Sequence, residues 1–233
     1  MIGIIGGTSL LKADIMWGAR DRTVKNKFGS VYLFEGKDFI FIPRHGKGRT
    51  IPPHMINHKA NILALQELEC EFIIGINSVG SLKKKIRPGS ILIPDDYINP
   101  WNIQTYYDTT IVHITPALDD SLRKLILRTA KSQGIDVIGK GIYLQTIGPR
   151  LETKAEVKFF QGIADVVGMT MASEATLSRE LNLQYASICT VDNFCHGIFE
   201  EPLDFEKVVE EVSEDRNNLM KLITAVIKEL NRE

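Results

Sequence analysis

The chain has 233 residues, 44% of them hydrophobic and 24% charged, with a formal net charge of −1. That balance suits one soluble globular domain over residues 1–233 and offers no global attraction for nucleic acid or an anionic membrane. Three cysteines without a CxxC pair exclude a disulfide framework and point to a reducing, cytoplasmic setting, while no apolar run approaches the roughly 20 residues of a membrane span.

The N-terminal run Met1–Gly7 is apolar but has no basic n-region, so it reads as a first strand over Gly3–Ile5 rather than a signal peptide. Short apolar runs at Val31–Phe34 and Phe39–Ile42 predict the next two strands, and a helix follows over Met55–Leu68. Strands are expected at Phe72–Ile76 and Ile91–Pro94, then a helix over Asp119–Ser132 with Gly134 placed to end it in the left-handed region. A strand over Ile138–Gln145 leads to a helix at Lys154–Gln161, where Thr153 and Glu156 have capping-box spacing. Val166–Met169, the helix Ser173–Leu181 and the strand Tyr185–Val191 come next. The last helix, Asp204–Leu230, carries an apolar stripe through Val208, Val209, Val212, Leu219, Leu222, Ile223, Val226 and Ile227, so it should lie against a sheet.

This alternation is α/β, and in such folds ligands collect where strands end. The first strand runs into Gly6-Gly7-Thr8-Ser9, whose amides and hydroxyls suit an anion, although the loop has neither the GxGxxG glycines nor a P-loop lysine. Pro43-Arg44-His45-Gly46 offers a guanidinium fork and an imidazole donor. Asn77-Ser78-Val79-Gly80-Ser81 turns polar after a buried strand, and Gly148-Pro149-Arg150-Leu151-Glu152-Thr153 sets a carboxylate before a capped helix. In Val167-Gly168-Met169-Thr170 a strand becomes a helix, with a hydroxyl donor beside an adaptable apolar side chain. Asn193, after the Tyr185–Val191 strand, has an amide that both donates and accepts. Each of these loops alone also reads as an ordinary turn. Together they supply an anion cradle (Thr8, Arg44, Ser78, Thr170), an acid–amide pair (Glu152, Asn193) and an apolar surface.

Taken in order, Gly3-Ile4-Ile5-Gly6-Gly7-Thr8, Arg44-His45-Gly46, Gly148-Pro149-Arg150 and Gly168-Met169-Thr170 with Glu174 resemble the trimeric purine nucleoside phosphorylase and methylthioadenosine phosphorylase family along nearly the whole chain. The resemblance implies a three-layer phosphorylase fold, a central mixed β-sheet flanked by helices. It assigns phosphate binding to Thr8, Arg44, His45, Ser78 and Thr170, the purine base to Glu152 and Asn193, and the rest of the substrate to Met169 and Leu151. It also implies a trimer, or a hexamer of two trimers, in which His113 reaches a neighbouring subunit's 5′ pocket. Phe205 and Val208 fall where a histidine for the 5′-hydroxyl is usual, so an apolar methylthio substituent is expected there. No metal or organic cofactor is implied, because inorganic phosphate is the co-substrate and the nucleophile.

Adenine-type members carry Asp at the position of Asn193 and typically Ser at that of Glu152. Asn193 can donate to a 6-oxo group and Glu152 can accept from N1–H, so the resemblance implies 6-oxopurine nucleosides: inosine, guanosine or methylthioinosine. Ser9 and His58 depart from the family pattern, a glycine being usual at the first and a tyrosine at the second. An adenine-type methylthioadenosine phosphorylase, a nucleosidase that uses water and a catalytically silent nucleoside-binding protein are the competing expectations; a dinucleotide dehydrogenase lacks its glycine fingerprint here.

Overall fold

The computed structural model describes residues 1–7, 18–48, 50–199 and 205–232, the stretch 205–216 by its backbone alone. Among the described residues ten strands form one sheet: β1 (Ile2–Gly6), β2 (Arg20–Asn26), β3 (Gly29–Glu35), β4 (Phe39–Pro43), β5 (Phe72–Ser81), β6 (Ile91–Leu92), β7 (Asp96–Ile98), β8 (Ile142–Gln145), β9 (Val166–Gly168) and β10 (Gln184–Phe194). Five α-helices among the described residues accompany it: α1 (His58–Glu67), α2 (Asp120–Ser132), α3 (Lys154–Phe160), α4 (Met171–Glu180) and α5 (Phe205–Leu230).

The parallel heart of the sheet is β4-β1-β5-β10, while β2, β3, β6 and β9 each join antiparallel to a neighbour. The sheet is therefore mixed, as expected. Side chains alternate across it. Ile2 and Ile4, Phe39 and Phe41, Ile74 and Ile76, Ala186 and Ile188 face one apolar layer. Ile5, Ile40, Ile42, Ile73 and Tyr185 face the other. The first layer is filled by Leu122, Leu125 and Ile126 of α2 and by Leu219, Leu222, Ile223, Val226 and Ile227 of α5, so the stripe read on the last helix meets the sheet from Leu219 onward, while the side chains of Val208, Val209 and Val212 lie outside the described residues. The second layer holds Ala60, Ile62 and Leu65 of α1 with Met171, Ala175 and Leu177 of α4. A smaller cluster of Val157 and Phe160 from α3 with Leu144, Val167 and Cys195 closes one end.

Local chemistry sets the helix starts. Asn57 accepts from the Ala60 amide, Asp119 from the Leu122 amide, and Thr153 with Glu156 completes both halves of the capping box. Gly134 ends α2 with φ of +67°, the left-handed conformation expected of it.

The structure corrects several expected boundaries. The Met55–Leu68 helix divides into a 3-10 turn, Pro53–Met55, and α1, because Ile56 is extended. β8 begins at Ile142, and Ile138 makes only a bridge to Leu92. β2 and β7 were not foreseen: β2 is a charged, largely exposed edge strand and β7 only three residues, so neither carries an apolar alternation. The polar run Asn77–Ser81 and the residue Asn193, expected in loops, belong to β5 and β10, whose parallel ladder continues beyond the helix-covered part of the sheet.

Candidate active site

Where β5 and β10 extend together, β10 gains one residue. Val191 pairs with Val79 and Asn193 with Gly80, which leaves Asp192 as the extra residue of a bulge. Such a bulge re-aims side chains beside a binding site. Both Asp192 and Asn193 line a cavity of about 290 Å³. Arg44, His45, Ser78, Leu151, Glu152, Met169 and Thr170 line the same cavity, as do Gly7, Cys195 and His196. Residues more than a hundred positions apart in sequence thus share one space.

At one end of this space lies Arg44, only 4% exposed at the close of β4. Its Nε and Nη2 meet the two carboxylate oxygens of Glu174, a fully buried residue in the first turn of α4. Nη1 donates to the Ile76 carbonyl at 3.0 Å and Nη2 to the Ile5 carbonyl at 3.1 Å. The fork expected to face a phosphate therefore grips Glu174, and Arg44 can offer an incoming anion only what remains of Nη1. Burial is the largest single influence on Arg44 and would lower its pKa, but the charge and hydrogen bonding of Glu174, with smaller pushes from Tyr185 and Tyr143, together outweigh it and the net shift is upward. Tyr185 Oη donates to Glu174 Oε2 at 2.8 Å; its own pKa is driven well up, by burial first and then by that carboxylate.

Thr170 caps α4 without a side-chain bond to the helix. Its amide and that of Met171 donate instead to Tyr143 Oη, at 3.2 and 3.3 Å. Gly168 permits this, since a Cβ there would collide with the Tyr143 hydroxyl. The Asn77 amide satisfies all its neighbours when its oxygen accepts from Arg44 Nη2 (3.0 Å) and Thr170 Oγ1 (2.9 Å) and its nitrogen donates to Ser187 Oγ (2.8 Å) and the Gly75 carbonyl (3.3 Å). Asn77 thus ties Arg44 to Thr170.

At the other end the polar groups are half-buried and sparsely bonded. Glu152 Oε1 accepts from Thr146 Oγ1 at 2.7 Å, and Asn193 Nδ2 donates to the Phe194 carbonyl at 2.8 Å. Met169 is half-buried, and its sulfur lies so close to Gly148 that a Cβ there would stand 2.6 Å from it. Cys195 is buried beside Gly80, and burial, with a smaller push from the Glu152 charge, raises its thiol to about 12. That thiol is a neutral lining group at neutral pH.

The family model described as the phosphorylase superfamily matches residues 2–228. The chain belongs to the phosphorylase superfamily. It is 41% identical over 238 residues to a "Probable 6-oxopurine nucleoside phosphorylase" of Archaeoglobus fulgidus, covering all of this chain and 98% of that one. It is 40% identical over 242 residues to a "Probable S-methyl-5'-thioinosine phosphorylase" of Methanothermobacter thermautotrophicus, covering all of this chain and 85% of that one. Among solved structures, a methylthioadenosine phosphorylase from Schistosoma mansoni in complex with adenine superposes with a TM-score of 0.88 at 26% identity, covering all of this chain and 92% of its own.

Within this superfamily chain, the candidate residues drawn from the sequence fall into three groups. Arg44, His45, Ser78, Leu151, Glu152, Met169, Thr170 and Asn193 share the cavity. His113 is exposed and does not line it. Thr8, with Ser9, and the side chains of Phe205 and Val208 lie outside the described residues. Sequence reasoning missed Tyr143, took Asn77 only as part of a polar run and gave Glu174 no role, because their importance comes from partners far along the chain. Asp192 and His196 were also unforeseen as lining residues, and only the bulge in β10 explains the first. Among the described residues, no group of three or more His, Cys, Asp or Glu side chains could hold a metal ion, and no helix is long and apolar enough to cross a membrane.

Proposed function

We propose that this chain is a purine nucleoside phosphorylase that cleaves 6-oxopurine nucleosides, methylthioinosine among them, with inorganic phosphate and needs no metal or organic cofactor. The observation that carries the reading is the single cavity lined both by Arg44, His45, Ser78 and Thr170 and by Glu152 and Asn193. The names borne by the archaeal relatives, a 6-oxopurine and a methylthioinosine phosphorylase, agree with it.

Phosphate occupies the end built on Arg44 and Thr170 and attacks C1′ of the ribose. The C1′–N9 bond breaks, and its electron pair leaves with the purine as the sugar takes on oxocarbenium character. Asn193 donates from Nδ2 to O6 and accepts through Oδ1 from N7–H, the proton that N7 takes from solvent water as the C1′–N9 bond breaks. Glu152, whose Oε1 is already bonded to Thr146, accepts N1–H through its other oxygen. Adenine has no N1–H to give and presents an amino group to Asn193, so it leaves polar groups mismatched at about 1–3 kcal/mol each. Met169 and Leu151 supply apolar surface to the sugar and base. The exposed His113 belongs to a neighbouring site, which makes the working form a trimer or a hexamer in the cytoplasm.

A panel of inosine, guanosine, methylthioinosine, adenosine and methylthioadenosine, each with and without phosphate, tests this. The 6-oxopurine substrates are expected to turn over only with phosphate, and the adenine substrates to be slower by roughly 10-fold or more. Turnover in phosphate-free buffer makes the chain a hydrolase instead. Stabilisation by hypoxanthine with no turnover makes it a silent binding protein, and faster turnover of methylthioadenosine reverses the base assignment.

A further inference from the structure

His58 opens α1, and its side chain lies behind the Arg44–Glu174 pair rather than in the cavity. It is 5% exposed, and its Nδ1 is fully buried with no hydrogen-bond partner among the described residues. A buried polar atom in that state costs stability, and its retention calls for an explanation. Glu174 Oε1 lies 3.9 Å away, the same oxygen that accepts from Arg44 Nε. That separation is too long for a hydrogen bond and is closed by a shift of about 1 Å.

Three charged or titratable groups act on the imidazole: Glu174 from α4, and Arg44 and His45 from the end of β4. Burial is the largest influence and holds the ring down to about 4; Glu174 opposes it, while Arg44 and His45 add to it. His58 is therefore neutral at neutral pH, and the Arg44–Glu174 pair beside it carries no net charge. A dianion arriving next to a neutral, buried pair brings negative charge that nothing in the pair offsets. It also draws Arg44 toward the cavity, which loosens the grip of Arg44 on Glu174. His45 is less suited to answer, being half-exposed with Nδ1 already 2.9 Å from the Ile51 carbonyl.

We propose that His58 is a positioning residue that takes up one proton from solvent as phosphate binds and then holds Glu174 through Nδ1–H, so that Arg44 is released toward the anion. The proposal rests on the phosphate reading above. It involves no bond other than the N–H formed on the ring, and the proton returns to solvent when the anion leaves.

Sulfate is the clean probe, because its charge is constant across the neutral range whereas phosphate itself titrates there. Calorimetric titration of the full chain with sulfate at about pH 6.5, in buffers of different ionisation enthalpy, is expected to show roughly 0.5–1 proton taken up per anion bound. His58→Gln should reduce that uptake by at least half while sulfate still binds. In the unaltered protein, the ring nitrogens of His58 should move on sulfate addition from the neutral to the imidazolium pattern in nitrogen-15 NMR, a readout that does not depend on the variant folding. Uptake that survives His58→Gln, or a ring that stays neutral with sulfate bound, overturns the proposal. If neither sulfate nor phosphate binds, the anion site itself is misassigned, a separate failure that takes this inference with it.

Discussion

Arg44, where it lines one end of the cavity, is held by Glu174, Asn77 and Tyr185 in a buried network of side chains bonded to one another. At the other, Glu152 and Asn193 are half-buried and each makes one side-chain hydrogen bond among the described residues. The first set is assembled when the chain folds, since a buried charge left unpaired is too costly to tolerate. The second keeps spare donors and acceptors, which is what recognition of a base edge requires. Folding thus defines the anion end before any ligand is present, whereas the base end is completed by its ligand. Changes at the first should therefore register as stability and changes at the second as turnover.

The sharpest break of that contrast is Glu174→Ala. It strands the Arg44 guanidinium in the core without its carboxylate and leaves the Tyr185 hydroxyl without its acceptor. We expect a loss of about 3–5 kcal/mol in chemical denaturation, the range for breaking a buried pair by removing one partner. A loss below about 1 kcal/mol would mean that the pair is not what organises this end. Next comes Asn193→Ala, which removes the group assigned to the departing purine. Inosine turnover should fall by about 100-fold, close to 2.7 kcal/mol in the barrier, with the denaturation midpoint nearly unchanged. Near-normal turnover removes Asn193 from the mechanism, and a large loss of stability instead shows that the base end is structural too.

The same contrast explains what could be read from the sequence. Arg44, Thr170 and Asn193 were legible because each stands where an apolar strand run gives way to polar residues, a local signal. Glu174 was not legible in its role. An acid in the first turn of a helix ordinarily reads as compensation of the helix dipole, and its partner lies 130 residues away. The pattern of α4 misleads further: Ser173, Thr176 and Ser178 suggest a polar surface, yet all are buried, since the helix lies between the sheet and α1 and near the loop at Thr105–Tyr107. β2 was missed for the opposite reason, because its residues Arg20–Asn26 are largely exposed and charged and pair with β3 through backbone bonds that any side chains permit. The sheet's centre was legible, its edges were not, and the depth of the network behind the cavity depended on contacts that only the fold creates.

Tyr143→Phe asks the smallest question and the most pointed one. The hydroxyl accepts from the amides of Thr170 and Met171, and Gly168 leaves it room to do so. Removing it leaves two amides at the start of α4 without that acceptor while the ring still fills its place in the core. The cost should be about 1 kcal/mol, which in a chain of this size lowers the melting temperature by roughly 2–4 °C. Thr170 would then be held less firmly, so the KM for phosphate should rise several-fold. Turnover at saturating phosphate should hardly change, because Glu152 and Asn193 are untouched. If the KM for the nucleoside rises as much as that for phosphate, the two ends are coupled through β9 and the start of α4, and their division into a folded end and a ligand-completed end is wrong. If only the phosphate term moves, Tyr143 acts on the anion alone and the division stands.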